Sequence, residues 1–298
     1  MTWGDPSGLA RLNPAKLAYG GAHGFDEEKR ALDASMAAGV TLFDTAEMYS
    51  GGASERRLGE LARGQDVLLA TKFPPGLFAT TSDMPKALDA SLARLGRNSV
   101  DLYQHHFPSS RVSIPKLMEL MADAVAMGKV KAVGVSNYSA EQLRIAHAAL
   151  AGRGIPLASN QVEYSLLHRQ PEVNGVLDIC RELGITLIAY QPLASGALTG
   201  KYKAGDRPTG LRRFMGSFRG KGLEVVEPII ALLREIGGHY AKTPAQVALR
   251  WLIENESVLP IPGAKNGTQA ADNAGALSFS LTPMEVEALN QATLAWRV

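Results

Sequence analysis

Short apolar runs alternate with longer stretches of helical periodicity along the whole chain. Residues 40–44, 67–72, 100–105, 131–136, 159–163, 185–190 and 258–261 are short, continuous and bounded by breakers, as buried parallel strands are. Between them, residues 26–38, 83–95, 115–127, 139–149, 171–183 and 243–254 carry helical patterns, and 283–295 adds one after the last strand. Asp26 is expected as the N-cap of the first helix and Gly39 as its C-cap. Ser139 with Gln142 reads as a capping box. Most strands recur at intervals that leave room for one helix. That pattern predicts repeated βα units in a (β/α)8 barrel spanning residues 1–298 as one domain.

Eight strands close such a barrel, and only seven are legible. The first is expected to be short or missing before Asp26, where residues 16–19 offer a weak candidate. Residues 200–222 interrupt the pattern between the last two legible strands. They carry Lys201, Lys203, Arg207, Arg212, Arg213, Arg219 and Lys221 against one acid, Asp206. The run reads either as a solvated surface loop or as a clamp over phosphates.

Composition narrows the class. The 298 residues are 46% hydrophobic and 20% charged, with a net charge of +2. No global field draws such a chain to nucleic acid or to a membrane. No apolar run reaches the ~18 residues of a spanning helix, and no signal peptide is legible. Cys180, the single cysteine, has no partner for an internal disulfide, which suits a reducing cytoplasm.

The chemistry gathers where strands stop. Residues 40–44 end in Asp44, with Tyr49 five residues on, the second run ends in Lys72, and the third in His105-His106. In a barrel of this kind the C-terminal rim of the strands holds the active site. A phenol titrates near ~10, and a neighbouring ammonium favours its anion. Lys72 could do this for Tyr49, with Asp44 orienting Lys72 and His106 bonding a carbonyl oxygen. On a strand His105 and His106 point to opposite faces, so at most one serves the site. No Gly-x-Gly-x-x-Gly follows a strand, so a Rossmann site is not encoded.

At these residues the chain resembles the aldo-keto reductase superfamily. The matching segments are 43–49 (FDTAEMY), 70–72 (ATK), 101–106 (DLYQHH), 134–138 (GVSNY), 160–164 (NQVEY), 189–193 (AYQPL) and 261–265 (IPGAK). The resemblance implies a barrel that binds NAD(P)H across its rim and reduces small aldehydes or ketones, with Asp44, Tyr49, Lys72 and His106 as the catalytic set. By the same resemblance Ser136, Asn137 and Gln161 bind the nicotinamide carboxamide, and Tyr190 stacks on its ring. Leu193, Ser195 and Gly196 begin the loop over the pyrophosphate, while Gly263, Lys265, Gln269 and Asn273 hold the adenosine end. Lys265 beside a helix N-terminus points to NADPH over NADH. Gln269 stands where many relatives carry arginine, which weakens that preference without reversing it. Relatives begin with a hairpin and a first strand before their Trp-Gly step, whereas Met1-Thr2-Trp3-Gly4-Asp5 starts at that step.

Trp3, Met48, Phe73 and Phe107 are the expected substrate-pocket residues, apolar and near strand ends. An open apolar pocket suits small or aromatic carbonyls, and the basic run leaves room for an anionic one. Two other classes compete. One is a nucleotide-binding, non-catalytic regulatory relative. The other is a barrel metal hydrolase on His105, His106, Asp44 and Glu163, which the divergence of adjacent histidines disfavours.

Overall fold

Seven apolar runs become seven strands: β1 Leu42–Asp44, β2 Leu68–Phe73, β3 Val100–His105, β4 Val130–Ser136, β5 Leu157–Glu163, β6 Thr186–Tyr190 and β7 Val258–Pro260. The computed structural model describes residues 3–4, 24–74, 80–203, 218 and 222–297. The strands lie in sequence order in one sheet, and every neighbouring pair is parallel. Alternation splits their side chains between two faces. Ala70, Leu102 and Ile188 form a small cluster of their own with Leu42, Ala132 and Ile261. Leu69, Phe73, Tyr103, Val133 and Val135 join the large cluster shared with the helices. The sheet is thus a curled part of a (β/α)8 barrel, with one face inside and the other under helices.

The helices are α1 Phe25–Ala37, α2 Ala53–Leu61, α3 Met84–Leu95, α4 Ile114–Ala126, α5 Ala140–Ala151, α6 Val176–Glu182, α7 Gly222–Tyr240, α8 Pro244–Ile253, α9 Gly267–Ala274 and α10 Pro283–Ala292. Ser139 and Gln142 close the expected capping box on α5, and Thr243 with Gln246 does the same on α8. Asp26 is not the N-cap of α1. Gly24 takes that place, and Asp26 sits in the first turn, where the helix dipole favours a carboxylate. The expected helix over 171–183 splits into a 3₁₀ turn at Gln170–Glu172 and α6, with Gly175 left-handed between them.

Among the described residues the sheet has two edges, β1 and β7, and the helix layer meets across them. Helix α9 packs on α1, so closely that a Cβ on Gly267 would lie 3.1 Å from the Arg30 carbonyl oxygen. The Trp3 indole donates to Ala264 O at 3.0 Å, and Gly4 N–H donates to the buried Glu28 carboxylate at 3.0 Å. These bonds tie the seam at the rim. The weak strand candidate at 16–19 and most of the basic run, from Arg207 to Lys221, lie outside the described residues. Among the described residues no helix is long and apolar enough to cross a membrane.

Candidate active site

Register and alternation assemble the site. Asp44 pairs with Ala70, and Lys72 lies two residues beyond on the same face of β2. Lys72 is fully buried, and its Nζ donates to Asp44 Oδ1 and, at 2.8 Å, to Thr45 O. A buried ammonium is tolerated only when paired and hydrogen-bonded. Burial works against its charge, but Asp44, and then Tyr49, outweigh burial and hold Lys72 above the usual lysine value. The second oxygen of Asp44 accepts from Gln104 Nε2 at 3.0 Å and from Gln161 Nε2 at 3.1 Å. Gln161 Nε2 also reaches Gln104 Oε1 at 3.2 Å, so the two amides lock each other.

Tyr49 opens the turn after β1. Ser50, Gly51 and Gly52 follow it with φ of 53°, 62° and 80°, a left-handed run that only glycine adopts at low cost. The turn brings the Tyr49 ring to 5.2 Å from Lys72 Nζ and the phenol into hydrogen-bonding reach of the ammonium. The His106 ring meets Tyr49 edge-on at 5.8 Å and stacks on Phe107 at 4.7 Å. Burial above all, with the Lys72 charge, pushes the His106 imidazole down to about 3 against the pull of Asp44. It is therefore neutral at pH 7.

A polar ledge continues round the rim. Ser136 Oγ donates to Gln161 O at 2.8 Å. Asn137 holds a φ of 60°, and its Nδ2 donates to His106 O at 3.1 Å while its Oδ1 accepts from the Tyr190 hydroxyl at 3.1 Å. After β6, Gln191, Ala194 and Ser195 also take positive φ, at 52°, 47° and 57°. Non-glycine residues in that region cluster where backbone serves a ligand. Ser195 Oγ donates to Gln191 Oε1 at 2.9 Å, and Gly196 N–H donates to Leu193 O at 2.9 Å. After β7, Asn266 caps α9, Gln269 Oε1 accepts from Lys265 N–H at 2.9 Å, and Asn273 Nδ2 donates to Gly263 O at 3.3 Å. The Gln269 side chain is thus folded back on the turn before α9, at the exposed surface.

The apolar set divides. Met48 and Phe107 are exposed at the rim, while Trp3 and Phe73 are buried. Phe73 faces the helices, stacked on His105 at 5.7 Å, on the opposite side of β2 from Lys72. His105 likewise turns to the helix side, where its Nδ1 pairs with the Tyr138 hydroxyl at 2.7 Å. Burial pushes its imidazole down to about 4. Gln104 was not singled out from the sequence. Its place two residues before His106, on the same face of β3, is the signal that marks it. Among the described residues no three His, Cys, Asp or Glu side chains could hold a metal ion together.

The two histidines give the fold an acid weakness. Both are neutral when folded and take up protons near pH 6.5 when unfolded, so their contribution to stability is constant above that pH and is lost below it. At pH 5 each should cost about 2 kcal/mol. Urea unfolding at pH 7 and pH 5 checks this, with His105→Leu expected to lose about half the difference.

Comparison with known proteins places this geometry. The model of the Aldo/keto reductase family matches residues 8–293. Aldo-keto reductase str7 of Strobilurus tenacellus is 36% identical over 296 residues, covering 95% of this chain and 86% of that protein. The chloroplastic pyridoxal reductase of Arabidopsis thaliana is 39% identical over 275 residues, covering 86% of this chain and 74% of that one. Among solved structures, an aldo-keto reductase from Klebsiella pneumoniae in complex with NADPH superposes with a TM-score of 0.75 at 28% identity, covering 98% of this chain and 89% of that one.

Proposed function

The chain belongs to the aldo/keto reductase family and is an NAD(P)H-dependent oxidoreductase, and from that premise we propose that it reduces small aldehydes or ketones with NADPH. The observation that carries this reading is the buried Lys72 ammonium, held by Asp44 and set against Tyr49. The nicotinamide, when bound, supplies the hydride that the carbonyl carbon receives.

Tyr49 gives its proton to the carbonyl oxygen as negative charge builds there. The Lys72 ammonium eases that loss by favouring the phenolate. Asp44 keeps Lys72 charged and aimed, and Gln104 and Gln161 keep Asp44 aimed in turn. His106, a neutral imidazole, is a hydrogen-bond donor for the same oxygen without competing for its proton.

The residues round the rim fit the cofactor. Gln161 has its Nε2 committed to Asp44 and Gln104, which leaves Oε1 for a carboxamide N–H, beside Ser136 and Asn137. Tyr190 offers a ring face, and Leu193, Ser195 and Gly196 belong to the strained turn that follows it. Gly263, Lys265, Gln269 and Asn273 surround the N-terminus of α9, a place suited to phosphate. Met48 and Phe107 give the mouth an apolar lining for an aromatic carbonyl. Pyridoxal, in the name of the Arabidopsis relative, is such an aldehyde.

Titration of tryptophan fluorescence tests the cofactor assignment. NADPH is expected to quench at lower concentration than NADH. Gln269→Arg should tighten NADPH about tenfold, the worth of one charge-assisted hydrogen bond, and leave NADH unchanged. Equal affinity for the two nucleotides would overturn the preference, and binding of neither would overturn the site.

A further inference from the structure

A second chain of bonds runs behind the sheet, under the catalytic pair. Thr71, next to Lys72 but facing the helices, donates from Oγ1 to Glu55 Oε1 at 2.6 Å. Glu55, on α2, is fully buried, and its Oε2 accepts from Arg94 Nε at 2.5 Å. Arg94, on α3, reaches onward to Glu47 Oε1 at 3.4 Å. Glu47 stands two residues before Tyr49. The chain therefore joins the neighbour of Lys72 to the neighbour of Tyr49 without entering the site.

The backbone makes room for it. A Cβ on Gly52 would lie 2.7 Å from Arg94 Cδ, so the left-handed glycine is what lets the arginine pass under the turn. Thr45 Oγ1 donates to Ser54 Oγ at 2.9 Å and pins the other shoulder of the loop. Residues 45–52 need such a hold, since the left-handed run after Tyr49 is strained and Met48 is exposed. Burial, with Glu55 and against Arg94, raises the Glu47 carboxyl. The Tyr103 hydroxyl shares the same pocket of charge.

We infer that Glu47, Arg94 and Glu55 form a strut that positions Tyr49 against Lys72, an inference that rests on the catalytic reading of Tyr49 above. None of the three touches the site, so all are positioning residues. A displacement of about 1 Å at a reacting group costs up to ~10²-fold in rate.

The test is the alkaline limb of kcat/KM for an aromatic aldehyde at saturating NADPH, which falls as Tyr49 ionises. Tyr49 faces Lys72, Asp44 and His106 on the site side, while Glu47, Glu55, Arg94 and Tyr103 lie behind. Removing the Glu47 charge acts through space to lower the tyrosine value. Loosening Tyr49 from Lys72 raises it. Glu47→Ala separates the two effects. The strut predicts a limb moved up by about half a pH unit, kcat/KM down about tenfold, and NADPH affinity within about twofold. Arg94→Gln should move the limb further in the same sense. If that variant does not fold, Glu47→Ala alone decides. A limb that stays in place or moves down in Glu47→Ala overturns the strut. Full turnover by Tyr49→Phe would overturn the acid role of Tyr49 and the strut together, whereas an inactive Tyr49→Phe with an unmoved limb in Glu47→Ala overturns the strut alone.

Discussion

Tyr49→Phe is expected to bind NADPH as tightly as the parent protein and to lose about 10²–10⁴-fold of its carbonyl turnover, the usual worth of a positioned general acid. The substitution removes one oxygen and keeps the ring. The edge-on contact with His106 at 5.8 Å and the ring's place over Lys72 at 5.2 Å survive it, so the rim keeps its shape. What disappears is the only proton in the group whose release the Lys72 ammonium assists. The ledge of Ser136, Asn137 and Gln161 does not involve the phenol, which is why affinity for the nucleotide should hold. Nucleotide titration and steady-state rates on one aldehyde check both halves. A variant that turns over normally would remove Tyr49 from the chemistry.

Asp44→Ala should cost more in stability than any change at the surface. It strands the ammonium of Lys72 at zero exposure and takes the acceptor from Gln104 and Gln161 together. Breaking a buried ion pair on one side costs about 3–5 kcal/mol, because the remaining charge keeps its desolvation penalty. With Asp44 gone, burial governs Lys72 and favours the neutral amine, so the support for the tyrosine is lost as well. Asp44→Ala with Lys72→Met places an apolar chain where the charge was, and should recover much of the stability and none of the turnover. Urea midpoints of the single and double variants measure this. A double variant no more stable than the single one would mean that the pair is not the burden described.

Much of the fold was legible because buried parallel strands advertise themselves. Continuous apolar runs such as 100–105 are hard to mistake, and all seven became strands. What was not legible has physical causes. Helix α2 is short and rich in charge, and its first residue follows three left-handed positions. Helix α7 carries Pro228 among Leu223, Val226 and Ile229, and the proline hides a periodicity that is otherwise plain. Asp26 looked like a cap because caps and first-turn acids favour the same residues.

The site was legible at its titratable members and not at their supports. Asp44, Lys72 and His106 stand at strand ends and Tyr49 in the turn after β1, and the structure brings them together. Alternation along β3 separated His105 from His106, and the structure places them on opposite sides. Gln104 and the Thr45 carbonyl were missed, since their roles depend on partners 60 and 27 positions away in the chain. Phe73 was expected in the pocket as an apolar residue near a strand end, but it is adjacent to Lys72 on β2 and so takes the opposite face, where it lines the helix-side core.

The measurement closest to the central claim is a single turnover. Enzyme loaded with NADPH is mixed with excess aromatic aldehyde, and the loss of nicotinamide absorbance is followed in the parent and in Tyr49→Phe. The account predicts rapid loss in the parent and, in the variant, bound NADPH that persists. Loss at the same rate in both, or persistence of bound NADPH in the parent across a panel of aldehydes and ketones, would contradict it.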